Sequence, residues 1–328
     1  MRKINIPIFV PHAGCTHACV FCNQRRITGQ HRSMDAAAAQ DIIDTALSTV
    51  QQGAYIEIAF FGGSFTAIDA ALQIELLETA HVYIQDGRVQ GIRISTRPDC
   101  IDEEILHRLK TYGVTAVELG VQSTNDDVLR RCKRGHTRAD VFAGAEMVRA
   151  AGFDLGLQMM PGLPGDSAER TMQTVTDIVS LKPVCVRIYP TLVIADSPLY
   201  DMYNCGEYVP LPLEQAVELC AAAYAVFSQN GIEVLRMGLM ASESLESGIA
   251  AGPYHPAFGE LVESRLYIGK ILRALDGYSG GAVLRVHPRE LSKAIGNRRC
   301  NIEYVKDKLN INLTIKGDET VEVGAVMW

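Results

Sequence analysis

Cys15, Cys19 and Cys22 stand in the order Cys-x-x-x-Cys-x-x-Cys. Thiolates at this spacing can ligate three irons of a 4Fe-4S cluster from one compact loop, leaving the fourth iron without a protein ligand. A closed four-cysteine site suits electron transfer. An open iron lets the amino and carboxylate groups of S-adenosylmethionine chelate it, and an electron passed into the sulfonium breaks a carbon–sulfur bond to give a 5′-deoxyadenosyl radical. The protein's share is orientation and a dry cavity. The alternative is a zinc ion, with His12 or His17 completing four ligands. Zinc sites normally pair two short cysteine hairpins, and no second Cys-x-x-Cys occurs downstream. Cys100, Cys132, Cys185, Cys205 and Cys220 read as isolated hydrophobes or incidental thiols. Cys300, beside Arg298 and Arg299, is a candidate reactive thiol through stabilisation of its thiolate.

The elements that must position these cysteines alternate between short β-branched runs and longer amphipathic segments, the pattern of a parallel sheet with covering helices. Strands are expected at Ile4–Val10, Tyr55–Phe61, Gly91–Ser95, Ala116–Val121, Asp154–Met159 and Val184–Tyr189. Helical patterns run over Met34–Gln51, Asp69–Ile84, Asp102–Tyr112, Asp126–Cys132 with Arg138–Ala151, Ser167–Leu181 and Leu213–Asn230. Caps at Ser33 and at Asp166-Ser167, and terminators at Gly53, Gly113 and Gly152, mark their ends. Because such crossovers are right-handed, the six units predict an α/β fold, a partial (β/α)6 barrel over residues 1–230, followed by a small α+β region over 231–328.

In such barrels the reactive groups sit on loops at the carboxyl ends of strands. Those loops hold the cysteines, then Gly62, Gly63 and Ser64, where absent side chains admit the amino end of a ligand. Arg97, with Ser95 and Thr96, is placed to pair with a ligand carboxylate. Gln122 offers an amide at the barrel mouth, and Glu118 faces into or out of the barrel. The loop from Met160 and Pro161 to Gly165 would lie around an adenine, or is a rigid turn. Tyr189 would stack on a base or donate a hydrogen bond, and Phe21 would shield the cluster from water.

After Asn230 the rhythm changes to Gly-, Ser- and Pro-rich stretches, and His255 in Tyr254-His255-Pro256 suits a site-facing loop. Ala282–Trp328 reads as a strand, one or two helices and a hairpin of Asn310–Ile315 with Thr320–Val323, turned at Gly317-Asp318. The start MRKINIPIFV lacks the apolar core of a signal peptide, and no apolar run nears the roughly 18 residues of a membrane span, so a cytosolic protein with no membrane partner is expected. A net charge of −7 argues against a globally basic nucleic-acid coat. It leaves room for two local basic patches, Arg130 to His136 and Arg285 to Arg299.

The cysteine loop with Phe21, Phe-Gly-Gly-Ser-Phe-Thr at 61–66, Ser-Thr-Arg-Pro-Asp at 95–99, Glu-Leu-Gly-Val-Gln-Ser at 118–123, Lys-Arg-Gly-His-Thr at 133–137, Met-Met-Pro-Gly-Leu-Pro-Gly at 159–165 and Tyr-Pro-Thr-Leu-Val-Ile at 189–194 occur in that order. Over roughly residues 4–230 the chain thereby resembles the radical S-adenosylmethionine domain of the Elongator catalytic subunit. The resemblance implies a 4Fe-4S cluster and S-adenosylmethionine as cofactors, tRNA as substrate with carboxymethylation of a wobble uridine from acetyl-CoA, and an electron donor such as a flavodoxin or ferredoxin. It also implies that Lys133, Arg134 and His136 lie near RNA or the substrate pocket. In two respects the sequence departs from that family. About 98 residues follow Asn230, fewer than the family's acetyltransferase-like domain needs, and Gln158 stands where the family usually has a histidine. The leading expectation is an enzyme that radicalises an RNA base. The alternatives are a radical enzyme for a small-molecule or porphyrin-like substrate, as in the oxygen-independent coproporphyrinogen oxidase group, and a non-catalytic iron–sulfur or zinc protein.

Overall fold

A computed structural model describes residues 3–10, 15, 17–23, 27, 34–50 and 53–328; His12, Ser33 and Gln51 lie outside them. Seven parallel strands form one curved sheet in the order β1 (Lys3–Val10), β2 (Tyr55–Gly62), β3 (Gly91–Thr96), β4 (Val114–Gln122), β5 (Asp154–Met159), β6 (Cys185–Ile188) and β8 (Glu233–Met237), with the short β7 (Val193–Ile194) outside it, antiparallel to β9 (Ile249–Ala251). Helices cover one face, so the architecture is a half-barrel of the α/β class. The reason lies in the strands' alternation. Ile6, Ile8, Ile56, Ile58, Ile92, Ile94, Val117, Leu119, Leu155, Leu157, Val186 and Ile188 all point outward. There they meet Ile43, Leu76, Leu77, Leu109, Val148, Ile178 and Phe227 from the helices. Each such side chain contributes roughly 1.5–3 kcal/mol when buried.

The alternate positions of the same strands line the lumen, and apart from Phe9 and Phe61 near the mouth they are mostly small, polar or charged: Asn5, Glu57, Ala59, Arg93, Ser95, Glu118, Gly120, Gly156, Gln158 and Arg187. Their register pairs them across the sheet, Ser95 with Glu118, Glu118 with Gly156 and Gln158 with Arg187. The sheet curls far enough for Lys3 on one edge strand to reach Glu233 on the other at 3.6 Å.

The six expected strands and their helices are present within a residue or two at most ends. The helix Ala36–Thr49 is capped by Asp35, whose side chain accepts from the Ala38 amide, and Ser167 caps Ala168–Ser180. Gly113 and Gly152 end their helices at φ +78° and +81°. Two expectations are corrected. The sheet has a seventh strand beyond residue 230, since β8 pairs in parallel with β6. The hairpin near the carboxyl end does not form. Instead β10 (Gly281–Val286) and β11 (Asn312–Gly317) run parallel, joined by the helices Leu291–Ile295 and Cys300–Leu309, while Met327 bridges antiparallel to Arg285. This region has its own core of Ile271, Leu284, Val286, Val305 and Leu313. The helix Phe258–Ala274 joins it to the barrel, giving Phe258 and Val262 to the main core and Ile268 and Ile271 to the smaller one.

Candidate cofactor site

The cysteine loop follows β1 at the carboxyl end of the sheet. Cys15 is exposed, Cys22 half-buried and Cys19 buried, and the Cys22 amide donates to the Cys19 carbonyl at 3.1 Å. Its floor is the Lys-Arg-Gly-His turn. The Val20 amide donates to the Cys132 carbonyl at 3.1 Å, and a Cβ on Gly135 (φ +80°) would come within 2.4 Å of the His17 ring. Arg134 lies beneath, its Nη2 donating to the Gly120 carbonyl at 2.7 Å and its Nη1 standing 3.4 Å from Cys19 Sγ. On the other side Ser64 Oγ is 3.7 Å from Cys15 Sγ. Gly62 (φ +113°) brings β2 against β1 so closely that a Cβ would meet the Val10 carbonyl oxygen at 3.0 Å, while the Gly63 amide donates to that oxygen. Glycine is required there on both counts.

The electrostatics of this floor are unbalanced. Arg97 is buried and grips Asp99 through Nε (2.9 Å) and Nη2 (2.7 Å). Burial works to raise the Asp99 carboxyl, but the hydrogen bond and charge of Arg97 outweigh it and hold the carboxyl below its usual range. Four buried side-chain polar atoms among the described residues have no hydrogen-bond partner, and Arg97 Nη1, Arg134 Nε and His136 Nδ1 are three of them. Unpaired buried donors cost about 1–3 kcal/mol each. Two of these are cationic N–H groups beside thiols. Burial, then the charge of Arg134, push the His136 imidazole down to about 3. It is therefore neutral, with Nε2 3.2 Å from the Val121 carbonyl. An anionic sulfide cluster on the three thiolates, or a carboxylate bound to it, would supply the acceptors these guanidinium groups lack. No three His, Cys, Asp or Glu side chains meet about a single point among the described residues, whereas a cluster takes one thiolate per iron.

The opposite wall is built at the ends of β4, β5 and β6. Gln122 is buried at φ +65°, a left-handed conformation costly for a residue with a side chain, and it accepts from Gln158 Nε2 at 3.1 Å. The Met160 amide donates to the Gln122 carbonyl at 2.8 Å, Tyr189 to Met159 and Thr191 to Pro161, each at 2.9 Å, so the three strand-end loops are one hydrogen-bonded unit. Phe21 and Met160 pack into a common apolar cluster with Val20, Val128 and Leu163.

Residues 9–178 match the Radical SAM superfamily, and residues 183–267 match the Radical SAM C-terminal domain. The chain belongs to the Radical SAM superfamily. The cofactors of that family are a 4Fe-4S cluster and S-adenosylmethionine, and the residues above fit them. The chain is 32% identical over 191 residues to the tRNA uridine(34) acetyltransferase of Methanocaldococcus jannaschii, covering 52% of this chain and 35% of that one. It is 37% identical over 139 residues to human Elongator complex protein 3, covering 42% of this chain and 25% of that one. It thus spans between a quarter and just over a third of the length of these relatives. Among solved structures, the archaeal Methanocaldococcus infernus Elp3 with an amino-terminal deletion superposes with a TM-score of 0.65 at 24% identity, over 80% of this chain and 62% of that one.

Within this radical SAM fold the structure brings Cys15 beside Ser64 next to Gly62-Gly63, Cys19 beside Arg134, Phe21 against the cluster that includes Met160, and Gln122 beside both Arg134 and Gln158, with Pro161 and Tyr189 on the adjoining strand-end loops. Other expected residues take different places. Arg97 is held by Asp99 through Nε and Nη2, and its Nη1 has no hydrogen-bond partner among the described residues. Arg134 and His136, expected near RNA or the substrate pocket, are 8% and 3% exposed: the turn folds under the cysteine loop, where main-chain carbonyls of β4 meet their polar atoms. Lys133 alone of that trio is exposed. His255 sits where β6 and β8 end, in a narrow cleft with Pro190, Leu192, Gly238 and Phe258, its Nδ1 accepting from the Ala257 amide at 3.0 Å. Cys300 is exposed in the carboxyl-terminal region, 3.8 Å from Ser264 Oγ. Glu118 points into the lumen. The sequence reading missed Asp99, whose only signal was its place two residues after Arg97, and the lumen arginines, which strand alternation about Glu118 could have placed.

Proposed function

We propose that this protein is a radical S-adenosylmethionine enzyme that modifies a base of tRNA. The cluster, when bound, supplies the electron that generates a 5′-deoxyadenosyl radical. The chain's own residues do the rest: Cys15, Cys19 and Cys22 hold the irons, Arg134 and Arg97 set positive charge beside the thiolates, and Gln122 and Gln158 offer amide donors and acceptors across the mouth. One observation carries the tRNA reading. The likeness to the tRNA uridine(34) acetyltransferase and to Elongator complex protein 3 lies in the radical SAM region of this chain. Lys133 and the exposed Arg285, Arg289, Arg298 and Arg299 are suited to phosphates. No helix among the described residues is long and apolar enough to cross a membrane.

The test is anaerobic reconstitution with iron and sulfide, reduction by dithionite or a flavodoxin, and assay of 5′-deoxyadenosine with and without bulk tRNA. Formation of 5′-deoxyadenosine that rises with tRNA, with a mass change in a tRNA nucleoside, is expected. No cleavage at all would overturn the radical reading; cleavage with tRNA neither bound at low salt nor altered would overturn the tRNA reading. Lys133→Glu should weaken tRNA binding.

A further inference from the structure

Among the charged side chains on the lumen face of the barrel are Glu57 on β2, Arg93 on β3, Glu118 on β4, Arg187 on β6 and Arg236 on β8. The first four close on one another. Arg93 donates to Glu57 through Nε (3.0 Å) and Nη2 (2.8 Å), and to Glu118 through Nη1 (3.1 Å). Arg187 grips Glu118 through Nε (2.7 Å) and Nη2 (3.1 Å). Two cations and two anions make a neutral set, and all four side chains are 12% exposed or less.

Arg236 breaks the pattern. It is the register partner of Arg187 on the adjacent parallel strand, so two arginines sit side by side on one face, roughly 4.8 Å apart along the ladder. Like charges so placed repel. Arg236 is half-buried, its Nε donates to the Gly238 carbonyl at 3.1 Å, and it has no carboxylate partner among the described residues. Tyr189 lies within the field of both guanidinium groups, its hydroxyl kept protonated by burial and so able to donate. Gln158, the register partner of Arg187 on β5, connects this corner to Gln122. One positive charge in a partly desolvated lumen, its Nη groups unclaimed, beside a second cation that cannot neutralise it, is the arrangement that recognises an oxyanion.

We propose that Arg236, supported by Arg187 and Tyr189, forms an oxyanion subsite that seats a carboxylate or phosphate group of a molecule entering the barrel. The inference rests on the reading that the lumen holds a reactant, and it requires that reactant to be anionic near its reacting end. The two sources of that chemistry are a small carboxylic acid or its ester and a nucleotide phosphate.

The experiment uses the purified full chain without cofactors, titrated with acetate and separately with inorganic phosphate at constant ionic strength set by sodium chloride. Binding is read by calorimetry and by thermal shift, in the native protein, Arg236→Gln and Arg236→Lys. Saturable binding of one anion is expected, weakened about tenfold or more in Arg236→Gln, the usual scale for a lost charge-assisted bond, and partly kept in Arg236→Lys. In anion-free buffer Arg236→Gln should melt no lower than the native protein, because it relieves a repulsion, a result that a merely structural arginine would not give. A preference for acetate assigns the carboxylate source and a preference for phosphate the nucleotide source. Binding that is absent in the native protein, or unchanged in Arg236→Gln, overturns the proposal. Because this readout needs no radical chemistry, intact anion binding beside absent S-adenosylmethionine cleavage would sink the functional reading and leave the subsite standing.

Discussion

Glu118 is the keystone of the lumen charges, and its neutralisation tests whether that network is as desolvated as its geometry implies. The carboxylate accepts three charged hydrogen bonds, one from Arg93 and two from Arg187, at 2.7–3.1 Å, and its side chain is 4% exposed. Glu118→Gln keeps the shape but leaves two guanidinium groups facing one remaining anion, Glu57. Removing one partner of a buried pair costs about 3–5 kcal/mol, because the other charge stays behind without compensation. The matched control is Glu218→Gln. Glu218 pairs with Arg265 at 2.9 Å, no worse a distance, but the side chains are 62% and 42% exposed, where such pairs contribute about 1 kcal/mol at most. Reversible urea denaturation followed by circular dichroism should give a loss several-fold larger for Glu118→Gln than for Glu218→Gln. Adding Arg187→Met to Glu118→Gln should recover part of it, since one stranded cation is then gone. Equal losses in the two single variants would refute the argument: the lumen would then be wet enough to screen its charges.

Gly62→Ala places a methyl group against the Val10 carbonyl at a φ of +113°; a destabilisation of more than about 1 kcal/mol is expected, with less iron bound after reconstitution, measured by urea melts and iron content. Gly135→Ala pushes on the His17 ring from below and should lower iron content while leaving the carboxyl-terminal region's hydrogen-exchange protection unchanged. His136 titrates near 3 when folded and near 6.5 when unfolded. Between those values the unfolded chain binds the extra proton, so stability is lost as pH falls below about 6.5, at up to about 1.4 kcal/mol per pH unit. Urea melts at pH 7 and pH 5 should show a slope smaller by up to one proton in His136→Gln, and identical slopes would refute the assignment.

The barrel was legible because its outer face is written redundantly: every strand from Ile4 to Tyr189 repeats aliphatic residues at alternate positions, and glycines or caps punctuate the helices. β8 escaped because Glu233-Val-Leu-Arg-Met is a half-buried edge strand with charges at both lumen positions, so hydrophobic alternation is faint. The false hairpin shows a different limit. The turn signal at Gly317-Asp318 is local, but the partner of β11 is chosen by the helices Leu291–Ile295 and Cys300–Leu309, which bury Ala294 and Val305 and carry the chain across to lie parallel with β10. Among site residues, cysteine spacing and the Gly62-Gly63 pair were readable from type alone. Arg134 and His136 were not. A run of basic residues looks like a solvated face, and only the carbonyls of Gly120 and Val121, brought beneath the turn by β4, make it interior.

Two sets of arginines in the barrel pose the same physical question. Under the cysteine loop, Arg97 and Arg134 hold N–H groups that nothing among the described residues accepts; on β8, Arg236 carries a charge with no carboxylate partner among the described residues. Elsewhere in the barrel, Arg93 and Arg187 are paired to completion. The contrast says more than net charge does: in a chain of formal charge −7, Arg97, Arg134 and Arg236 keep N–H groups without a protein acceptor among the described residues, which is the basis of both proposed anion sites. The first excess lies where an anionic cluster and a carboxylate bound to it would supply the acceptors. The second lies on the lumen face of β6 and β8, at a pair of arginines distinct from those beside the cysteines, and is the subsite proposed for a separate anion. If Arg236→Gln leaves anion affinity intact, the excess is an accident of an edge strand; if affinity falls, the reactant that meets the radical carries its negative charge to that wall.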